Sequence, residues 1–124
     1  MIAELDIVQQ LVEIYEKYEW WSKDKMSFEA AIRYHKKRLD NGDIYVYEEN
    51  GEVLGYYERY ITGDTVLLHN LFIKEGHRRG KVFKELYRHF FQTLPLGIKY
   101  ITGTKQKIGG KFQKVLIKGA RYGR

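Results

Sequence analysis

Apolar residues recur at helical spacing in the first third of the chain, and they predict two amphipathic helices. The first covers residues 5–20, and Ser27 is a favourable N-cap for the second, over residues 28–39. Asn41-Gly42 is a typical helix end. The apolar positions that carry the first prediction are Leu5, Val8, Val12 and Tyr15.

The pattern then changes to strands. Asn50-Gly51 between two apolar runs is a strong hairpin signal, so residues 43–49 and 52–61 are predicted to pair as antiparallel strands. A second turn at residues 62–64 leads into residues 65–74, whose sequence is TVLLHNLFIK. Because this run is almost continuously apolar, it predicts a central strand that is covered on both faces.

A basic loop, EGHRRG at residues 75–80, precedes a third helix predicted over residues 81–93. A strand over residues 98–102 and a short helix over residues 111–118 complete the prediction. The order is α-α-β-β-β-α-β-α, which indicates one α+β domain over residues 1–124, with helices flanking a mostly antiparallel sheet.

Composition narrows the class of protein. The 124 residues include no Cys and one Pro, which excludes a disulfide scaffold, a thiolate metal site and a Cys nucleophile. The four His residues lack the spacing of metal ligands, so no metal site is predicted. No apolar run is long enough to span a membrane and the first 20 residues carry five acids, so we expect a cytoplasmic protein without a membrane segment.

Charge is distributed unevenly along the chain. Residues 1–73 hold 8 basic and 14 acidic side chains, a balance of −6, whereas residues 74–124 hold 14 basic and 2 acidic ones, a balance of +12. One interpretation is a solvated Lys-rich face. The other is that the C-terminal half meets an anion: a phosphate-bearing cofactor, a nucleic acid or an acidic protein.

The loop EGHRRG has two interpretations as well. It is either an ordinary surface turn, or an anion site in which guanidinium groups stand beside the free N–H groups and positive dipole end of the third helix.

The run LLHNLFIKEGHRRGKVFKEL resembles the central motif of the GCN5-related N-acetyltransferases (GNAT family), in which a strand reading roughly N-L-F/Y-V precedes R-x-x-G-x-G/A and a helix. Two N-terminal helices, the Asn-Gly hairpin and a late F-x-K-x-x-x-K-G-A segment occur in that family's order, so the resemblance extends over residues 5–122. It implies a GNAT-like fold, acetyl-CoA as cofactor and direct transfer of the acetyl group to an amine.

The resemblance also implies roles for particular residues. His69 matches the position of a strand carboxylate that serves as general base through water, a task that imidazole suits near neutral pH. Strand residues would face the pantetheine arm and the acetyl group; these are Leu71, Phe72 and Ile73. Loop and helix residues would surround the pyrophosphate or line the cofactor segment; these are Arg78, Arg79, Gly80, Lys81, Val82, Phe83 and Lys84.

The sequence departs from the family pattern at three places. Lys81 and Phe83 stand where the family has its two loop glycines, and Gly80 lies one position early. Gln113 replaces the Tyr of the last helix that protonates the leaving thiolate, with Tyr100 and Tyr122 as possible substitutes. The chain ends at Arg124, where the family adds further strands, so we expect a C-terminally truncated fold or one that a partner subunit completes.

These departures are similar to those of small phage proteins with an acetyltransferase-like fold. The first alternative function is therefore a catalytically inactive GNAT-like module, which serves as a virion part or binds a protein partner or a second copy. The second is binding of nucleic acid, from the basic C-terminal half interleaved with Tyr100, Phe112 and Tyr122. The amine acceptor stays open.

Overall fold

The computed structural model describes residues 4–18, 26–77, 80–105 and 111–116. In chain order the elements are α1 (Glu4–Tyr18), α2 (Phe28–Asp40), β1 (Ile44–Glu49), β2 (Glu52–Thr62), β3 (Thr65–Ile73), α3 (Lys81–Gln92), β4 (Tyr100–Lys105) and β5 (Lys111–Leu116). The predicted α+β class and the order of the first seven elements are confirmed.

The five strands form one sheet in the order β1-β2-β3-β4-β5. Only β3 and β4 pair in parallel, and the other neighbours are antiparallel, as the sequence predicted. Apolar residues of α1 pack on one face of the sheet, where Leu11 joins Val53 and Tyr56. Residues of α3 pack on the opposite face, where Leu86 joins Leu54 and Tyr57.

The predicted final helix over residues 111–118 is wrong. Lys111–Leu116 is a strand that pairs antiparallel with β4 over its whole length. A segment this short carries too few apolar positions to distinguish a helical period from a strand. Pairing decides its structure, because without β5 the strand β4 would present an open row of backbone donors and acceptors.

Strand β3 is central, as predicted, but the prediction that it is covered on both faces is wrong. The strand is central, between β2 and β4. However, Leu71 is 50% exposed, and His69 is exposed as well. The strand that is buried continuously is β2, from Val53 to Arg59.

Helix α3 packs directly over Gly55 of β2, where there is no side chain. A Cβ at this position would lie 2.8 Å from Cγ1 of Val82 and 3.2 Å from Cδ1 of Leu86. Both of these α3 residues are fully buried. Gly55 therefore fixes how closely the first two turns of α3 pack against the sheet.

A β-bulge interrupts β3 at His69. Glu58 of β2 pairs with Asn70 and Arg59 pairs with Leu68, so His69 is the extra residue between two registers. The parallel pairing of β3 with β4 covers Thr65–Leu68 in the described part of the chain. The two strands therefore part at the bulge, and the end of β3 that leads toward α3 stands beside an opening in the sheet.

Candidate functional site

The N-terminus of α3 has backbone donors that no side chain caps. Its N-cap is Gly80, no side chain caps it, and the first turn contains no acidic residue. The N–H of Lys84 donates to the carbonyl of Gly80 at 3.2 Å, so the N–H groups of residues 81–83 precede the first intrahelical hydrogen bond. These donors and the helix dipole favour a negatively charged group at this end.

The two residues that replace the family's glycines lie on opposite flanks of this terminus. Nζ of Lys81 lies 2.9 Å from a carboxylate oxygen of Glu49 on the β1 side. This contact raises the pKa of Lys81 and lowers the pKa of Glu49. Phe83 lies on the β3 side, where its ring contacts Tyr87. Neither side chain is placed across the end of the helix.

The other predicted residues of this segment have different surroundings. Val82 is a core residue, so it could contact a cofactor through its backbone N–H alone. Lys84 lies beside Arg88 in the groove between α3 and β1, on the side away from β3. A Cβ at Gly80 would meet no atom within 4 Å, so the backbone there is open. Arg78 and Arg79 lie outside the described residues.

An apolar groove of about 180 Å³ runs between the end of β3, β4 and α3. Leu71 lies in its wall, facing Phe83 and Tyr87 of the helix. Of the three strand residues predicted to contact a cofactor, Leu71 is thus the one whose side chain borders the groove. Ile73 packs against the core beneath α3, and Phe72 points to the opposite face, where its ring contacts Tyr56.

His69 lies on the face of the sheet that α2 covers. Its ring meets the ring of Tyr60 edge-on, with centroids 5.3 Å apart and planes at 72°. The bulge places His69 and Asn70 next to each other on this face, whereas a regular strand would send one of them to the α3 face. The predicted base is therefore exposed at the point where β3 and β4 part.

Sequence reasoning missed most of the polar network behind His69. Its centre is Glu58, whose side chain is 1% exposed. Oε1 of Glu58 accepts from Nδ2 of Asn70 at 3.1 Å, and Oε2 accepts from Nε of Arg38 at 3.0 Å. The phenol oxygens of Tyr34 and Tyr60 also donate to Oε2.

This network holds Glu58 as an acceptor of protein donors, which leaves it out of reach of a substrate. Burial is the main cause that raises the pKa of Tyr34 and of Tyr60, so both phenols keep their protons. Arg38 is fixed in turn, since Nη1 pairs with Asp43 at 2.8 Å and Nη2 donates to the carbonyl of Arg59 at 3.0 Å. The available signal was a charged pair, Glu58-Arg59, within a buried strand.

The neighbouring charge, Arg59, closes the other end of α3. Its guanidinium donates to the carbonyls of Phe90 and Thr93 at 2.9 and 3.0 Å. A cation at a helix C-terminus satisfies the last carbonyls and complements the dipole. Arg59 and Gly55 together fix α3 on the sheet, and with it the position of the helix N-terminus.

Tyr100, one of the two possible proton donors to a leaving thiolate, lies away from this opening. Gln113 is part of β5 and pairs with Gly103. Tyr100 pairs with Thr65, at the end of β3 opposite to α3. Tyr122 lies outside the described residues.

Two other features are absent from the part of the chain that the structure describes, a metal-ligand cluster and a membrane-spanning helix. No three His, Asp or Glu side chains converge there as metal ligands. No helix there is long and apolar enough to cross a membrane.

The family model described as Acetyltransferase (GNAT) family matches residues 8–101, which is well over half of the chain. No curated protein sequence matches the chain.

Solved structures share the fold at low sequence identity. YncA from Salmonella typhimurium, assigned as an acetyltransferase and solved with its cofactor acetyl-CoA, has a TM-score of 0.62 and 17% identity over 88% of this chain and 70% of that one. The PaiA N-acetyltransferase from Thermoplasma acidophilum with coenzyme A has a TM-score of 0.53 and 19% identity, covering 87% and 79%.

A third structure was solved with its amine substrate. The diaminobutyrate acetyltransferase EctA from Paenibacillus lautus, in complex with L-2,4-diaminobutyric acid and coenzyme A, has a TM-score of 0.58 and 15% identity. The match covers 85% of this chain and 63% of EctA, so the chain spans less than two thirds of that enzyme's length. At these identities the three structures establish the fold alone.

Proposed function

The chain belongs to the acetyltransferase (GNAT) family, and from this premise we propose that it binds acetyl-CoA and transfers the acetyl group directly to an amine. The observation that carries the proposal is the junction of an uncapped helix N-terminus with a strand that parts from its neighbour at a bulge. The solved relatives YncA, PaiA and EctA, each with acetyl-CoA or coenzyme A, support the same cofactor for this chain.

The residues present fit such a cofactor at both of its ends. The N–H groups of residues 81–83 would hold the diphosphate, with Arg78 and Arg79 beside them by their place in the sequence. The exposed backbone at the end of β3 would accompany the pantetheine arm, with Leu71 and Phe83 as apolar walls. Gly80 leaves the space that close backbone approach requires.

When bound, acetyl-CoA supplies a thioester whose carbonyl carbon an amine can attack, with the CoA thiolate as leaving group. The chain must orient the thioester and remove a proton from the amine. We assign the proton transfer to His69, acting through water from the opposite face of the bulge. The absence of Cys is compatible with direct transfer, which needs no acyl-enzyme.

The acceptor is proposed as a cationic amine. Residues 1–73 carry a balance of −6, and a negative surface raises the local concentration of cations such as polyamines, aminoglycosides or Lys side chains. EctA, which acts on a diamine, is compatible with this class of acceptor.

The double substitution Arg78→Ala/Arg79→Ala tests the diphosphate end. Because hydrogen bonds to charged groups contribute about 1.5–3 kcal/mol each, we expect acetyl-CoA affinity to fall by a factor on the order of 100 or more, with the melting temperature unchanged. Isothermal titration calorimetry measures the affinity. The matched control, Lys36→Ala/Lys37→Ala at two exposed positions of α2, removes the same charge and should leave the affinity as it is. Equal affinities for the two double variants would contradict the proposed site.

A further inference from the structure

We infer that Asn70 and Glu58 are positioning residues that clamp the bulge of β3 and thereby fix the backbone that the proposed cofactor and His69 share. The inference rests on the proposed function. The hydrogen bond between Nδ2 of Asn70 and Oε1 of Glu58 is 3.1 Å long. We infer that it positions residues of the proposed site in addition to stabilising the fold.

The hydrogen bond between Asn70 and Glu58 lies at the point where the register of β3 against β2 changes. Glu58 and Asn70 are the last pair of one register, and Arg59 and Leu68 are the first pair of the other. A bulge loosens the ladder locally, because its extra residue lies between two registers. At this point the side chain of Asn70 adds a second connection between the strands that the backbone already pairs, directly beside His69.

Side chains of α2 hold Glu58 in place. Arg38 and Tyr34 of that helix both donate to Oε2 of Glu58, and Tyr60 of β2 donates to the same oxygen. The guanidinium of Arg38 also lies over the ring of Tyr60, 3.6 Å from its centroid. The ring of Tyr60 is in turn the surface that His69 contacts.

The residues around the bulge lie on two different faces of β3. Asn70 and His69 lie on the α2 face, whereas Leu71 lies in the apolar groove on the α3 face. Loss of the bulge would shift the pairing on one side of it by one residue and turn either His69 or Leu71 to the other face, since side chains alternate along a strand. The clamp therefore determines that His69 lies on the α2 face of the sheet while Leu71 lies in the apolar groove on the α3 face.

The test uses two variants of Asn70. Asn70→Ala removes the donor, and Asn70→Asp, studied at pH 8, keeps the shape and replaces the donor with a carboxylate that repels Glu58. Gln10→Ala is the matched control, because Gln10 makes a comparable pair of contacts, to the carbonyl of Gly51 and the N–H of Val53, both 2.8 Å, far from the bulge.

Two measurements distinguish a positioning role from a purely structural one. Amide hydrogen exchange by NMR should accelerate at least tenfold at residues 69–71 in both Asn70 variants, with α3 changed less than threefold. Acetyl-CoA affinity should fall at least tenfold in both, and should be unchanged in Gln10→Ala. Uniform acceleration along the chain, or unchanged rates at residues 69–71, would overturn the clamp.

The outcome also separates this inference from the proposed function. If the unsubstituted protein does not bind acetyl-CoA, the proposed function fails, and the exchange rates still decide whether Asn70 holds the bulge. If the unsubstituted protein binds acetyl-CoA and the Asn70 variants bind it equally well, the positioning role fails while the proposed function stands.

Discussion

Replacing Glu58 with alanine is expected to lower the free energy of unfolding by about 3–5 kcal/mol, because Arg38, whose side chain is 14% exposed, then loses a fully buried carboxylate partner. Arg38 would keep Asp43 and the carbonyl of Arg59 as partners, but its Nε would lose its acceptor. Asn70 would lose its acceptor as well, and the hydroxyls of Tyr34 and Tyr60 would keep only their contact with each other. Urea denaturation followed by fluorescence measures the change.

Glu52→Ala is the control for this prediction. Glu52 forms an ion pair with Lys74 in which both side chains are about half exposed. Exposed pairs contribute about 0–1 kcal/mol, so the control should stay close to the unsubstituted protein although the change in net charge is the same. A loss at Glu58 no larger than the loss at Glu52 would show that the network around Glu58 does not stabilise the fold.

Replacing Gly80 with aspartate should weaken acetyl-CoA binding strongly and, at the same time, stabilise the protein. An aspartate at the N-cap would accept hydrogen bonds from the first turn of α3 and place a negative charge where the diphosphate is proposed to bind. The space is available, since a Cβ at residue 80 meets no atom within 4 Å. We expect stability to rise by a few tenths of a kcal/mol from the cap and by about 0.3–1 kcal/mol from the negative charge at the helix N-terminus. Affinity should fall by a factor on the order of 100, the equivalent of about 2.7 kcal/mol.

Gly80→Asn separates the cap from the charge. Asparagine caps a helix as well as aspartate does, but it carries no charge, so its affinity for acetyl-CoA should fall far less than that of the aspartate variant. Calorimetry gives the affinities and thermal denaturation gives the stabilities. If the aspartate variant were stabilised and bound acetyl-CoA as well as the unsubstituted protein, the N-terminus of α3 would not be the diphosphate site.

Features that depend on neighbouring residues could be predicted from the sequence. The Asn-Gly hairpin is one, because its two residues adopt φ values of 53° and 83°, a combination that Asn and Gly accept at little cost. The N-cap of α2 is another, since Ser27 accepts from the N–H of Ala30 three positions later. In both cases the residues that determine the structure are adjacent to it in the chain.

Features that depend on distant pairing could not be predicted in this way. Residues 111–118 were expected to form a helix, yet the segment pairs with β4 because an edge is available there. The bulge at His69 is a shift in register against β2, which no local pattern of apolar residues encodes. The network of Glu58 joins α2, β2 and β3, so its members are recognisable only once the three elements are packed.

The candidate site likewise has features that the local sequence could predict and features that depend on distant pairing. The helix N-terminus and the basic loop were visible in the sequence, because one strand, one loop and one helix carry them in succession. The face on which His69 lies depends on the bulge. The positions of Lys81 and Phe83 on opposite flanks of the helix N-terminus depend on how α3 packs against Gly55.

Acetyl-CoA binding to the unsubstituted protein is the most direct test of the account, by isothermal titration calorimetry with free CoA as the companion ligand. The account predicts binding in the micromolar range, a free energy of about −8 kcal/mol. Absence of binding at millimolar acetyl-CoA would contradict it. The family fold would then serve as a binding or structural module, and its macromolecular partner would be the next object of search.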